Sequence, residues 1–95
     1  MHYDTKACGL RLKELRQKHS MTQEELSDKL NISLSMMSKI ETGNKGVSID
    51  LLIEIAELFD VSLDYILLGE GQQYEQARQK LYAVIEQLDE IIRQL

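Results

Sequence analysis

The stretch TQEELSDKLNISLSMMSKIETG at residues 22–43 constrains the fold more than any other part of this sequence. Thr22 and Glu25 have the spacing of a capping box, in which each side chain accepts the backbone N–H of the other residue. Asn31 falls where that helix would end, and Asn tolerates the left-handed conformation that closes a helix. Ser33 is a good N-cap for a second helix. The stretch therefore predicts two short helices joined by a tight turn.

The second of these helices, expected over residues 34–42, has two different faces at about 100° per residue. Met36, Met37 and Ile40 form an apolar face, which predicts packing into a core. The opposite face combines short hydroxyls, one cation and a leading leucine, and its members are Leu34, Ser35, Ser38, Lys39 and Thr42. A face meant only for water would carry more charge, so this one suits a helix that lies close against a polar surface.

Composition predicts an all-helical fold. The chain has 95 residues, is 43% hydrophobic and contains no proline, which fits one small domain with an appendage. A single cysteine, Cys8, leaves no intramolecular disulfide, and His2 and His19 lack metal-ligand spacing. No metal, no cofactor and no enzyme activity are expected, since the sequence also shows no nucleophile–base pair and no phosphate-binding glycine loop.

The charge is divided unevenly along the chain. Its overall value is −5, but residues 1–48 hold eight Lys/Arg against six Asp/Glu, a net +2. Residues 49–95 hold three against ten, a net −7. Such asymmetry can indicate separate roles for the two halves. The basic excess is small, so any nucleic-acid binding should have modest non-specific affinity and a shallow salt dependence.

Three further helices are expected around the central stretch. The first covers about residues 5–19, with Leu10, Leu12 and Leu15 as apolar contacts, Arg11, Lys13 and Lys18 in solvent, and Gly9 at a close helix–helix approach. The next follows Ser48 as N-cap and reaches about Phe59. The last follows Ser62, with Leu63, Ile66 and Leu67 inward, and ends before Gly69 and Gly71.

Residues 70–95 form a second organised segment after a domain at residues 1–69. Apolar residues recur there at alternating steps of three and four, which is a heptad pattern, and Ile85 and Ile92 widen the stripe. Such a stripe would be a liability in water, so the helix folds back on its own domain or pairs with another chain, and its regularity favours pairing. The residues expected at a homodimer interface are Tyr74, Ala77, Leu81, Val84, Ile85, Leu88, Ile91, Ile92 and Leu95.

Residues 9–69 resemble the phage-repressor and Cro-type helix-turn-helix domain of bacterial transcription regulators. The resemblance lies in GLRLKELRQKHSMTQEELSDKLNISLSMMSKIETG followed by SIDLLIEIAELFDVSLDYILLG. It implies a compact five-helix bundle whose third helix lies in the DNA major groove. Two positions depart from the commonest pattern, Ser27 in place of Ala and Asn31 in place of Gly, and both changes are physically mild.

The resemblance also implies roles for particular residues. Base contacts fall on Leu34, Ser35, Ser38 and Lys39. Phosphate contacts fall on Thr22, Gln23, Ser33, Thr42, Asn44 and Lys45. An ion pair between Arg16 and Glu41 would join the first helix to the end of the third. From the residues alone, Leu34 could equally be a locally packed hydrophobe, Thr22 a cap only, and the loop around Asn44 an ordinary connector.

The leading hypothesis is a dimeric, sequence-specific regulator, most simply a repressor, that binds a two-fold operator in double-stranded DNA. The alternative is a protein-interaction module, such as an antitoxin or anti-repressor, that acts through the acidic C-terminal helix. MHYDTKACG has none of the features of a signal peptide, and no apolar run approaches the roughly 20 residues that span a bilayer. A cytoplasmic protein without membrane contact is therefore expected.

Overall fold

The computed structural model describes residues 3–95, without the side chains of Gln72, Gln73 and Glu75. His2, considered above as a metal ligand, lies outside this range. All regular structure in the described residues is helical, which confirms the predicted fold class. The helices are α1 (Thr5–Lys18), α2 (Gln23–Leu30), α3 (Leu34–Thr42), α4 (Ile49–Phe59), α5 (Leu63–Leu68) and α6 (Gln72–Gln94).

The ends of α2 and α3 follow from local side-chain chemistry. Thr22 Oγ1 accepts the N–H of Glu25 at 3.0 Å while Thr22 N donates to Glu25 Oε1 at 3.2 Å, so the predicted capping box is confirmed. Asn31 closes α2 in the left-handed region with φ 55°. Ser33 Oγ then accepts the N–H of Met36 at 3.0 Å and begins α3. These contacts make the turn between the two helices sharp and well defined.

The ends of α4 and α5 are built in the same way. Ser48 Oγ accepts the N–H of Leu51 at 3.2 Å, and Ser62 Oγ accepts that of Tyr65 at 3.0 Å. Asp60 ends α4 in the left-handed region with φ 54°. The predicted starts of both helices at serine caps are confirmed.

The core lies among the first five helices. α1 packs on α3 and α5, α2 packs on α3 and α4, and α4 packs on α5. One apolar cluster fills the space between them and consists of Cys8, Leu12, Leu15, Leu26, Leu30, Met37, Ile40, Leu51, Leu52, Ile55, Phe59 and Ile66. Burial of this cluster is the main stabilising term of the domain.

Three details of the expected packing are wrong. Leu10 is 52% exposed, because it lies about 200° round α1 from the buried Leu12. Leu63 is 41% exposed at the first position of the short α5, whose inward face is centred on Ile66. Arg11, expected in solvent, is half-buried and donates Nη1 to the carbonyl oxygen of Ile66 at 2.9 Å.

α6 extends away from the five-helix domain. Its 23 residues correspond to a length of about 34 Å at 1.5 Å per residue, and the molecule measures 52 × 30 × 19 Å. Arg78 and Gln79 contact the domain, through Asp60 and Lys18. The apolar stripe of α6 does not fold back onto the core, so its large apolar side chains remain exposed.

Candidate nucleic-acid interface

α3 separates a buried face from an exposed one. Met37 and Ile40 are 0% and 1% exposed and anchor the helix in the core. On the opposite side Leu34 is half exposed, and the side chains of Ser35, Ser38 and Lys39 are exposed as well. The four residues predicted to face base edges thus share one accessible surface. We call Leu34, Ser35, Ser38 and Lys39 the α3 outer face.

A close backbone approach holds α3 against α1. A Cβ atom on Gly9 would overlap the carbonyl oxygen of Ile40 and lie 2.8 Å from that of Glu41. Only glycine therefore fits at this crossing. The short interhelical separation expected from Gly9 is present, and it seats the C-terminal half of α3 directly on α1.

A buried ion pair fixes the end of α3. Arg16 donates Nε to Glu41 Oε2 at 2.7 Å and Nη2 to Glu41 Oε1 at 3.0 Å, and their side chains are 10% and 2% exposed. Arg16 Nη1 also donates to the carbonyl oxygen of Met21 at 2.8 Å. A bidentate pair in fixed orientation thus joins α1, the segment before α2 and the last turn of α3. The structure brings together the two residues that the resemblance paired.

Gln23 belongs to the same network. Its Nε2 donates to Glu41 Oε1 at 2.9 Å, so the side chain expected to contact phosphate is engaged within the protein. Its backbone N–H lies in the first turn of α2, where N–H groups have no partner within the helix. Thr22 differs, because its hydroxyl oxygen accepts the Glu25 N–H and its hydroxyl hydrogen is available to an anion.

The loop after α3 carries the remaining predicted phosphate contacts. Asn44 and Lys45 are exposed, and both backbone N–H groups point to the carbonyl oxygen of Lys39, at 2.9 and 3.2 Å. Thr42 Oγ1 donates to the carbonyl oxygens of Ser38 and Lys39, at 3.0 and 3.2 Å. The Thr42 hydroxyl therefore has only acceptor capacity left, which suits a donor ligand better than a phosphate.

The N-terminal segment braces this loop, which the sequence did not indicate. Val47 N donates to the Tyr3 hydroxyl at 3.1 Å, and Thr5 Oγ1 donates to the carbonyl oxygen of Gly43 at 3.0 Å. A Cβ atom on Gly43 would meet the backbone of Lys6. Residues 3–6 thus hold both ends of the loop. The only hint of this contact in the sequence is Tyr3, an aromatic residue just before α1. A lone aromatic residue does not show which distant residue it will contact.

The electrostatic character of this side of the domain is mixed. Lys39, Lys45 and Lys6 lie at the C-terminal end of α3 or against the loop that follows it, whereas Glu24 and Glu25 occupy the first turn of α2. The two glutamates favour the α2 dipole but repel an incoming polyanion. The cations therefore concentrate on one edge of the surface.

The predicted dimerisation residues form an exposed strip along α6. Along its length Leu81 is 61%, Val84 49% and Leu88 53% exposed. The strip also contains Tyr74, Ala77, Ile85, Ile91, Ile92 and Leu95, all of which are exposed. We call these nine residues the α6 seam. Exposed apolar area of this extent marks an interaction surface in most soluble proteins.

Within residues 3–95, no group of three or more His, Cys, Asp or Glu is placed to hold a metal ion. None of the helices in that part of the chain combines the length and the apolar character needed to cross a membrane. Burial raises the pKa of the Cys8 thiol, an effect that the nearby Arg11 partly offsets.

Comparison with known proteins places the domain among regulators. A family profile described as helix-turn-helix matches residues 12–66. The HTH-type transcriptional regulator YobD of Bacillus subtilis, itself uncharacterized, is 42% identical over 57 residues, which are 60% of this chain and 51% of YobD. This chain spans about half the length of YobD and of two further regulators of Bacillus subtilis that it matches, ImmR and YqaE.

Solved structures show the same fold. The biofilm regulator SinR, crystallised in complex with DNA, is 28% identical with a TM-score of 0.57 over 62% of this chain and 95% of the crystallised SinR chain. The clp gene regulator ClgR of Corynebacterium glutamicum is 27% identical with a TM-score of 0.63 over 90% of this chain and 92% of the crystallised ClgR chain. Since α6 holds 23 of the 95 residues, the match to ClgR extends into α6.

Proposed function

We propose that this chain, which belongs to the phage-repressor and Cro-type helix-turn-helix family, is a sequence-specific DNA-binding transcription regulator that acts as a dimer on a two-fold operator. The observation that carries the proposal is the α3 outer face. It combines short hydroxyls and one lysine on a helix whose opposite side is locked into the core. The simplest mode of action for such a regulator is repression, in which the bound dimer occludes a promoter.

Base recognition would depend on the α3 outer face. With α3 in the major groove, Lys39 can donate to O6 and N7 of guanine, and the hydroxyl of Ser35 or Ser38 can donate or accept. Leu34 can contact only a thymine methyl group or exclude water. Lys39 therefore carries most of the expected base discrimination.

Phosphate contacts would fix the register of α3. The free hydroxyl hydrogen of Thr22 and the exposed Ser33 flank the turn, and Lys45 and Asn44 extend from the loop after α3. Such contacts orient a protein on the duplex without reading sequence. Gln23 would contribute its backbone N–H while its amide stays on Glu41. Thr42 is the weakest member of the predicted set, because its hydroxyl hydrogen is already used.

Dimerisation would occur through the α6 seam. A second copy is a suitable partner for a regular heptad strip, and a two-fold pair presents two α3 helices to half-sites about 34 Å apart or a multiple of that. The SinR and YobD comparisons support DNA binding and regulation, since SinR was crystallised with DNA and YobD is named as a transcriptional regulator.

A protein-interaction role is the second candidate. The net charge of −7 on residues 49–95 and the exposed α6 seam favour it. In that case the α6 seam would hold a different protein and Lys39 would be dispensable. An antitoxin could combine both roles.

Selection from a random duplex library at low salt tests the proposed function. We expect full-length protein to enrich a two-fold sequence, and Lys39→Ala to lose or change the enriched half-site. Lys29→Ala is the charge-matched control, because Lys29 is exposed on α2 beside Glu54 and Glu57 of α4 and should leave the selected sequence unchanged. No enrichment by folded protein would overturn the proposal and direct attention to a protein partner of α6.

A further inference from the structure

α6 is attached to the domain by side chains in its second turn. Arg78 donates Nη1 to the carbonyl oxygen of Asp60 at 3.1 Å and Nη2 to Asp60 Oδ2 at 2.5 Å. Lys18 donates Nζ to Gln79 Oε1 at 2.5 Å. Asp60 is the left-handed C-cap of α4 and Lys18 is the last residue of α1. We call Lys18, Asp60, Arg78 and Gln79 the α6 clamp.

The segment between α5 and α6 does not itself fix the direction of α6, so the contacts of the α6 clamp determine it. Gly69 and Gly71 both have positive φ, 72° and 81°, and Gly71 gives α6 no side-chain cap. Arg11 holds the near side of this connection, since it donates to the carbonyl oxygen of Ile66 and packs against Gly69. Arg11 and Lys18 are two turns apart on α1. The same helix therefore supports the end of α5 and the start of α6.

The clamp and the α6 seam are centred on different sides of α6, with Arg78 next to the edge of the seam at Ile85. At about 100° per residue, Arg78, Gln79 and Tyr82 centre about a third of a turn from the middle of the seam. Tyr82 shares a small cleft with His19 and Phe59, and the Arg78 guanidinium lies 5.8 Å from the Tyr82 ring centroid. A second copy can therefore pair along the seam while the clamp still holds α6 to its own domain.

We propose that the α6 clamp fixes the direction in which α6 leaves the domain and thereby sets the spacing between the two DNA half-sites. This inference rests on the proposed function. Beyond the clamp α6 continues for about 24 Å, so a rotation of about 20° at the clamp displaces its far end by roughly 8 Å, which exceeds two base-pair steps of about 3.4 Å. Lys18, Asp60, Arg78 and Gln79 are thus positioning residues for half-site spacing.

Removing contacts of the α6 clamp should widen the range of half-site spacings that the dimer binds, without abolishing DNA binding. The Arg78 and Asp60 side chains are 40% and 70% exposed, and exposed ion pairs are individually weak. None of the four residues belongs to the α3 outer face or to the α6 seam. Half-site recognition and dimerisation should therefore persist when the clamp is removed.

The test uses duplexes that carry two inverted copies of the selected half-site, with their separation stepped by one base pair over about one and a half helical turns. Full-length wild-type protein is compared with Arg78→Ala, Gln79→Ala and Asp60→Asn. Asn at position 60 keeps the left-handed cap, because Asn tolerates that conformation. Arg93→Ala is the control, since Arg93 lies among residues of α6 itself, beside Glu86, Asp89 and Glu90.

We expect wild-type protein and Arg93→Ala to bind one spacing. Arg78→Ala should bind at least three adjacent spacings, with no more than about a three-fold loss at the best one. Gln79→Ala and Asp60→Asn should show a smaller broadening, because Asp60→Asn keeps the backbone carbonyl and one side-chain oxygen as acceptors for Arg78. Dimeric, folded variants that keep the narrow wild-type profile would overturn this inference alone. A wild-type chain that sediments as a monomer or selects no half-site would instead overturn the proposed function, and this inference with it.

Discussion

At the scale of single residues, the pair of Arg16 and Glu41 is the most consequential contact in the domain. Replacing Glu41 with Ala leaves a nearly buried guanidinium without its carboxylate and also removes the acceptor of Gln23. We expect the free energy of unfolding to fall by roughly 3 kcal/mol, measured by urea denaturation. Glu57→Ala, at an exposed position of α4, is the control, and an equally small loss in both variants would contradict the assigned role.

Gly9 gives a prediction in which two effects oppose each other. Ala is the better helix former by about 1 kcal/mol, but its Cβ would overlap a backbone carbonyl of α3, and overpacking costs about 1–3 kcal/mol. Because a backbone oxygen cannot rotate away, the cost lies at the upper end of this range, about 3 kcal/mol. After the gain in helix propensity of about 1 kcal/mol, we expect Gly9→Ala to lower the free energy of unfolding by roughly 2 kcal/mol. Gln17→Ala, exposed on the same helix, should be neutral. A stabilised Gly9→Ala protein would show that α1 and α3 can separate without cost.

The thiol of Cys8 should react very slowly with alkylating reagents in the folded protein. Its side chain is 1% exposed and burial raises the pKa of the thiol, so little reactive thiolate forms near pH 8. We expect labelling by iodoacetamide at that pH to be at least about 100-fold slower than for the urea-unfolded chain. Rapid labelling under native conditions would mean that the N-terminal half of α1 opens readily.

At the scale of the secondary-structure elements, the brace between residues 3–6 and the loop after α3 yields a further prediction. Tyr3→Phe removes the acceptor of the Val47 N–H and leaves that half-buried group unpaired, which costs about 1–3 kcal/mol locally. We expect faster hydrogen exchange at Val47 and about a three-fold weaker affinity for the selected duplex. Gln17→Ala, at an exposed position of α1 outside the α3 outer face and the α6 seam, should change neither quantity.

What could be predicted from the sequence was local. Capping by Thr22, Ser33, Ser48 and Ser62 involves partners three residues away, so spacing alone identifies it. The side chains of Tyr3, Arg11 and Lys18 instead reach residues 44, 55 and 61 positions away. The hydrophobic periodicity of a sequence carries no information about contacts between residues so far apart. The resemblance supplied the expected pairing of Arg16 with Glu41, which composition and spacing do not give.

At the scale of the whole molecule, binding to a two-fold operator requires α6 to pair with a second copy. Leu88→Glu places a charge in the middle of the seam, on a residue that makes no contact with the core cluster. We expect this variant to keep its fold, to sediment as a monomer, and to bind the full operator at least 10-fold more weakly than wild type. Glu86→Ala, on the same helix, is the control. A dimeric Leu88→Glu protein would place the interface elsewhere.

The most direct test of α3 as the DNA-reading helix is amide chemical-shift mapping of the full-length protein during titration with duplex DNA. We predict the largest shifts at Ser33–Lys39, at Gln23 and at Asn44–Lys45, with the α4 residues Glu54–Leu58 unaffected, because the α3 outer face, the start of α2 and the following loop would form one surface. Shifts centred on α4, α5 or α6, with α3 unperturbed, would contradict the assignment of α3 as the DNA-reading helix.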